Sequence, residues 1–118
     1  MRIHIFWDRL SPSGFQVPVS RLISSILDVK SVVTENPVRI MGYVTARHQV
    51  DAQALLDSAQ AYKYRHQISE PVLLVVHQDL FRNGNIFVFG LARESVGVGV
   101  VSTSRLGNKY YGRQESDD

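Results

Sequence analysis

The stretch NIFVFGLARESVGVGVVSTSRL, residues 85–106, decides the fold. It contains an apolar segment, a short polar connection at Glu94 and Ser95, a second apolar segment and an exit rich in Ser and Thr. β-prone runs of this length, bounded by turn residues, are typical of neighbouring strands. We therefore predict a fourth strand over residues 86–92 and a fifth over residues 96–102. The fourth strand turns back antiparallel and becomes an edge of the sheet.

Upstream of this stretch, the pattern alternates between strands and helices. Apolar, β-prone runs predict strands over residues 2–7, 38–44 and 72–76. Pro18 begins a helix, and Asp51 is a good N-cap for a second helix over residues 52–64. The stripe of the first helix is formed by Val19, Leu22, Ile23, Ile26 and Leu27.

These elements follow one another in the order β-α-β-α-β-β-β. The order predicts an α/β domain with a mixed five-stranded twisted sheet and an antiparallel edge strand. Because parallel connections are right-handed, the first strand is expected in the middle of a parallel core. One helix is expected on each face of the sheet.

Length and composition indicate one ordinary globular domain. The chain has 118 residues, of which 44% are hydrophobic and 20% charged, which is the balance of a typical folded domain. We place the domain at residues 1–112 and expect residues 113–118, which include Glu115, Asp117 and Asp118, to be an acidic, flexible tail. The apolar runs are far shorter than the roughly 20 residues of a membrane-spanning helix, and the N-terminus lacks signal-peptide character. A cytoplasmic protein with no membrane contact is therefore expected.

The charge and cysteine content exclude several functions. The formal net charge is only +2, and the basic residues are dispersed, so the sequence does not indicate a nucleic-acid partner. Phe81, Phe87 and Phe89 are interpreted as core packing, because no basic cluster surrounds them. The absence of cysteine excludes a disulfide framework, a thiolate zinc site and a cysteine nucleophile.

Three segments together resemble the archaemetzincins, a family of metzincin-like zinc peptidases. They are VVHQDLF (residues 75–81), FVFGLA (87–92) and VVSTSRL (100–106), and the later Tyr111-Gly112 fits the linker before the family's zinc helix. The resemblance spans nearly all of this chain but only the N-terminal half of the family's domain. It implies the N-terminal-subdomain type of metzincin fold.

One departure from the family concerns its zinc centre. In the family, the next element carries HExxHxxGxxH, in which two His residues one turn apart hold zinc and the Glu activates water. No HExxH occurs here, and His4, His48, His66 and His77 are scattered. We therefore expect no catalytic residue, metal ligand or cofactor from this chain alone. Zinc would enter only if a missing segment or a partner supplied its ligands.

Two candidate sites remain. The resemblance implies that the edge strand binds extended substrate or a partner through its backbone, by β-augmentation; it comprises Phe87, Val88, Phe89, Gly90, Leu91 and Ala92. Independently, His77 and Asp79 follow the third strand, and α/β ligand sites form at such strand ends. The alternative for Asp79 is a hydrogen bond to the turn that follows it.

Two other motifs favour structural roles. Ser102-Thr103-Ser104 is not part of a G-x-S-x-G nucleophile elbow, and it is interpreted as a loop anchor. Gly97-Val98-Gly99 matches neither phosphate-loop pattern and lies within a predicted strand, where it indicates a bulge or a close backbone approach.

Three functions stay open on this evidence. The third and fifth strands are apolar on both faces, which predicts an exposed patch that a second polypeptide or a second copy covers. The chain is then a metallopeptidase-related interaction subunit that is catalytically silent alone. Alternatively, it is the N-terminal portion of an active zinc peptidase completed by another chain or by a missing C-terminal half. A third interpretation is a small ligand-binding module that uses His77 and Asp79.

Overall fold

The computed structural model describes residues 2–11, 14, 16, 20–21 and 30–104. Most of the predicted first helix, which begins at Pro18, and all of the predicted acidic tail lie outside the described residues. Two short 3-10 turns, Thr45–Arg47 and Glu94–Val96, connect strands. The other elements are β1 (Arg2–Trp7), β2 (Lys30–Glu35), β3 (Tyr43–Val44), β4 (Gln49–Asp51), α1 (Ala52–Arg65), β5 (Val72–Val76), β6 (Leu80–Phe81), β7 (Gly90–Arg93) and β8 (Val98–Ser102).

Five of the strands form one mixed sheet in the order β2-β1-β5-β8-β7. The first four strands of this order are parallel, and β7 pairs antiparallel with β8. The predicted mixed five-stranded sheet with an antiparallel edge strand is therefore confirmed. β1 lies between two parallel partners, and the carboxyl ends of β1, β5 and β8 meet at the same edge of the sheet.

The position predicted for the second strand is wrong. Residues 38–42 are irregular, and the strand beside β1 is Lys30–Glu35. The side chain of Asn36 explains where this strand ends. Its Nδ2 donates to the Val38 carbonyl (2.8 Å) and its Oδ1 accepts from the Val38 amide (2.7 Å). This local bonding competes with continued strand pairing.

A second, three-stranded sheet has the order β3-β4-β6 and was not predicted from the sequence. β3 and β4 are antiparallel, whereas β4 and β6 are parallel. An isolated antiparallel bridge joins Leu80 of β6 to Val88, just before β7. The Val88 amide donates to the Leu80 carbonyl at 2.9 Å. The small sheet therefore adjoins the large one at the start of its edge strand.

Helix α1 matches the predicted second helix, including its N-cap. The Asp51 carboxylate accepts a hydrogen bond from the Gln53 amide at 3.0 Å, which satisfies one of the free donors of the first turn. Leu55 and Leu56 are fully buried against the large sheet. Full burial of such a side chain contributes about 1.5–3 kcal/mol. Helix α1 therefore packs against the face of the sheet to which β7 and β8 contribute side chains.

The opposite face of the sheet carries Ile5, Trp7 and Val75, all buried. Leu73 and Val101 on the same face are partly buried. Among the described residues, the large exposed apolar side chains lie on loops, β3 and α1, and not on β5 or β8 where the sequence predicts a patch. They are Leu10, Met41, Tyr43, Val44, Tyr64, Ile86 and Phe89. Within the part of the chain that is described, no helix is long and apolar enough to cross a membrane.

Candidate functional site

The predicted binding edge is a shorter strand than the sequence indicates. Regular pairing with β8 begins at Gly90 and ends at Arg93, so Leu91 and Ala92 lie in its centre. Before it, Phe87 and Phe89 lie outside the strand, with their rings packed edge to face at 5.2 Å between centroids. The outer side of the chain at Val88 is already paired with Leu80. The open part of the edge is therefore confined to β7.

The hydrogen-bonding register shows which groups of β7 face outward. The Ser102 amide donates to the Phe89 carbonyl at 2.8 Å, so these two residues form a hydrogen-bonded pair. Such pairs alternate along an antiparallel ladder, so Leu91 and Arg93 also bond to β8. The amide and carbonyl of Gly90 and of Ala92 consequently point away from β8. Neither residue makes a further backbone hydrogen bond to any other described residue.

Two local features hold β7 in this position. Gly90 approaches β8 so closely that an added Cβ would lie 2.6 Å from the Val100 carbonyl oxygen. At the other end, the Arg93 guanidinium donates to Gln60 Oε1 at 2.9 Å and to Gln53 Oε1 at 3.0 Å. It also forms an ion pair with Asp57 at 2.6 Å. The edge strand is thus fixed both to its neighbouring strand and to helix α1.

The chain that leads into β7 is held by a polar cluster on the small sheet. Gln49, which is 6% exposed, donates from Nε2 to Asp79 Oδ2 and to the Ile86 carbonyl, both at 2.9 Å. Arg47 donates from Nε to Gln49 Oε1 at 3.0 Å, and from its NH2 group to the Asn85 and Ile86 carbonyls at 3.2 Å. Asp79 therefore takes part in anchoring the loop before β7.

His77 has a different partner from Asp79. Its Nδ1 bonds to Asp8 Oδ2, and its backbone amide lies 3.4 Å from the same oxygen. Asp8 follows β1 and His77 follows β5, so the pair links the carboxyl ends of two adjacent parallel strands. His77 bonds to Asp8 whereas Asp79 bonds to Gln49, and a joint role of His77 and Asp79 in ligand binding stays a prediction. Sequence reasoning missed Asp8, whose only signal is its position directly after a buried strand.

The Ser and Thr residues that end β8 act as anchors. Ser102 Oγ donates to the Gln78 carbonyl at 2.6 Å and accepts from the Ser104 amide at 3.1 Å. Thr103 Oγ1 lies 3.3 Å from the Val76 carbonyl and 3.2 Å from the Ser11 hydroxyl. These contacts agree with the loop-anchoring interpretation of the motif.

The described residues do not fit a zinc centre. No three His, Cys, Asp or Glu side chains within the described ranges come together as a metal-binding group. Among the described residues, the closest pair of a histidine and a carboxylate is His77 with Asp8, and its histidine nitrogen bonds to the carboxylate. Zinc sites in peptidases use three protein ligands, so no catalytic step through zinc follows from these side chains.

An apolar groove beside α1 has a different character from the open edge of β7. It has a volume of about 570 Å³ and lies beside the C-terminal half of α1, where Tyr64, Ile68 and Val96 contribute to its lining. Tyr64 is 86% exposed. Its lining also includes Asp57 and Gln60, which bond to Arg93 at the end of β7.

Three solved structures share this fold. A zinc-dependent peptidase from Methanocorpusculum labreanum is 32% identical, with a TM-score of 0.81, over 93% of this chain and 68% of that protein. An archaemetzincin from Methanopyrus kandleri is 29% identical, with a TM-score of 0.71, over 90% of this chain and 59% of that protein. The archaemetzincin of Archaeoglobus fulgidus, complexed with malonate, has a TM-score of 0.70 at 23% identity, over 90% and 63%.

The mixed sheet with its antiparallel edge is thus part of the fold of a zinc-dependent peptidase and of two archaemetzincins. At 32% identity over most of its length, the chain belongs to the archaemetzincin-like family of these peptidases, and the resemblance seen in the sequence is confirmed. The chain spans between 59% and 68% of the length of these three proteins. No protein-family model and no curated protein matches it.

Proposed function

We propose that this chain binds an extended peptide segment by strand addition to β7 and is catalytically silent alone. The observation that carries the proposal is the outward direction of the amide and carbonyl groups of Gly90 and Ala92 at the edge of the large sheet. An exposed edge of this kind is a template for another strand. A peptide substrate or a segment of a partner protein presents the same backbone to it.

The energetics favour weak binding that tolerates many sequences. Two outward-facing residues offer four backbone groups, and each hydrogen bond contributes about 0.5–1.5 kcal/mol net. The loss of translational and rotational freedom on association offsets much of this sum. A sum of about 4 kcal/mol without that offset would correspond to a dissociation constant on the order of 1 mM, so four backbone bonds alone should bind more weakly than this. Ala92 is exposed and Gly90 has no side chain, so neither restricts the peptide strongly.

The family membership supports a role in peptide hydrolysis only as part of a larger unit. The described residues bind and orient a peptide backbone, whereas the zinc that the relatives use requires ligands that this sequence does not offer as HExxH. We propose that those ligands come from a further segment or a second polypeptide. When bound, zinc supplies a Lewis acid and an activated water.

A proline at residue 92 tests the proposed edge directly. Ala92→Pro removes an outward-facing amide and no bond to β8, and proline is tolerated at such edge positions. Ala92→Val is the matched control, because it keeps the amide and adds a β-branched side chain that suits a strand. Binding of the blocked tetrapeptide Ac-Thr-Val-Thr-Val-NH2 is measured for all three proteins by NMR titration.

The proposal predicts that Ala92→Pro weakens binding at least about fivefold, the effect of one lost hydrogen bond, whereas Ala92→Val binds within about twofold of the parent. Thermal unfolding of both variants checks that the sheet is intact. Equal affinity for the parent and a folded Ala92→Pro protein would exclude β7 as the binding edge.

A further inference from the structure

We infer that the small sheet limits the length of the segment that β7 can bind to about four residues. The inference rests on the proposed function and adds to it a rule for the ligand. It follows from how each end of the open edge is closed.

The first end is closed by β6. Leu80 already occupies the outer side of Val88, with the Val88 amide donating to the Leu80 carbonyl at 2.9 Å. A strand added at Gly90 and Ala92 would lie on the same outer side of this chain as β6. It would meet β6 within two residues of Gly90, because Val88 is the next outward-facing residue of the ladder. An added strand must end or turn away at this point.

The bridge between Leu80 and Val88, which closes this end, is held firmly in place. Leu80 is fully buried, and the carbonyl of its neighbour Asp79 accepts a hydrogen bond from the Val50 amide at 2.8 Å. On the other side, Gln49 and Arg47 bond the carbonyl of Ile86 at 2.9 and 3.2 Å. The segments on both sides of the bridge are therefore attached to β4 or to the turn before it.

The second end is closed by the turn after β7. The Gly97 amide lies 3.0 Å from the Arg93 carbonyl and 3.2 Å from the Glu94 carbonyl. These bonds turn the chain into Glu94–Val96 and take the Glu94 carbonyl out of the edge. Between the two closures, Gly90 and Ala92 are the residues of β7 whose backbone groups face outward. At roughly 3.4 Å per residue, they match a paired segment of about three to four residues.

The consequence is a plateau in affinity. Each backbone hydrogen bond of ordinary strength raises affinity about fivefold. The gain should accumulate from two to four residues and then stop, because longer peptides find no further backbone partners. The probes are blocked Thr-Val peptides of two, four, six and eight residues, titrated against the intact chain and followed by NMR.

One variant tests whether the polar cluster sets the limit. Gln49→Glu keeps the shape of the side chain but replaces its donor with a carboxylate oxygen, which faces Asp79 and the Ile86 carbonyl. The attachment of the loop is then weakened, and Val88 becomes free to pair with the peptide. Gln67→Glu is the matched control, because it makes the same charge change at an exposed residue after α1.

The inference predicts a plateau at four residues for the parent and for Gln67→Glu, and a gain of at least about fivefold between four and six residues for Gln49→Glu. A continued rise beyond four residues in the parent overturns the length limit and leaves the proposed function standing. A plateau at four residues in folded Gln49→Glu overturns the assignment to this cluster. Absence of binding at every length overturns both proposals. The parent series decides the length limit even if Gln49→Glu does not fold.

Discussion

Replacing Gly90 with alanine should destabilise the fold because β7 lies unusually close to β8 there. A Cβ on residue 90 would stand 2.6 Å from the Val100 carbonyl oxygen and 2.9 Å from Val101 Cγ1. The first contact is with backbone, which moves only if the two strands separate. Overpacking of this kind costs about 1–3 kcal/mol, and alanine regains about 0.5–1 kcal/mol over glycine in a strand. The net loss should be about 1–2 kcal/mol.

Gly99 on β8 supplies the matched control. A Cβ at residue 99 would meet Leu73 Cδ1 at 3.4 Å and the Leu91 carbonyl oxygen at 3.6 Å, which are ordinary contact distances. Gly99→Ala should therefore stabilise the chain by about 0.5 kcal/mol through the lower backbone entropy of its unfolded state. The two substitutions make the same chemical change on paired strands but are expected to have opposite signs.

Thermal unfolding followed by circular dichroism measures both effects. For a chain of this size, 1 kcal/mol shifts the melting temperature by roughly 3–5 °C. The predicted difference of about 2 kcal/mol should thus separate Gly99→Ala from Gly90→Ala by about 6–10 °C. A Gly90→Ala protein that melts at or above the temperature of Gly99→Ala would refute the close pairing of β7 with β8.

Two further predictions concern the N-cap of α1 and the pH dependence of the stability of the fold. Asp51→Ala should lower the free energy of unfolding by about 1 kcal/mol, measured by urea denaturation, because the Gln53 amide loses its acceptor; no change would argue against the cap. The hydrogen bond from His4 lowers the pKa of Glu70 below its ordinary value of 4.5. A lowered folded-state pKa adds stability above the ordinary value and loses it as the pH falls through the lowered one. Glu70→Gln should therefore be less stable than the parent at pH 7 and equal to it in acid, and a difference that persists in acid would contradict the assignment.

Local sequence patterns were sufficient to predict the elements that have strong periodicity or a clear cap. α1 begins directly after its capping Asp51, as the sequence predicts, and β5 occupies the predicted residues 72–76. The apolar run of β5 is buried between neighbours on both sides, and a continuous run is what such a strand requires. The antiparallel pairing of β7 with β8 was also predictable, because the short connection after Arg93 leaves no room for a crossover.

The missed elements are either short or poorly buried. β2 lies at the edge of the sheet, and none of its residues is buried, so its pattern carries little periodic signal. The two exposed residues of β3 likewise give no repeat that a sequence pattern could reveal. β6 has two buried residues, Leu80 and Phe81, but they pair with β4, which lies far away in the sequence. Tertiary pairing decides such strands, and single-sequence propensity does not.

The candidate site was predictable in its location but not in its limits. The apolar residues 87–89 have the composition of a strand, and only the pairing of Val88 with Leu80 shows that the open edge starts at Gly90. In the same way, proximity in sequence suggested a joint site for His77 and Asp79. Their partners are Asp8, which follows β1, and Gln49 of β4, and the fold brings both alongside them.

The most direct measurement is the change in each backbone amide signal when a blocked Thr-Val tetrapeptide is added to the isotope-labelled chain. Strand addition to β7 predicts that the amides of Gly90 and Ala92 shift downfield and become protected from exchange. The amides of Leu91 and Arg93, which already face β8, should change less. Changes centred on the groove beside Tyr64, or no change at Gly90 and Ala92 with saturating peptide, would contradict β7 as the binding edge.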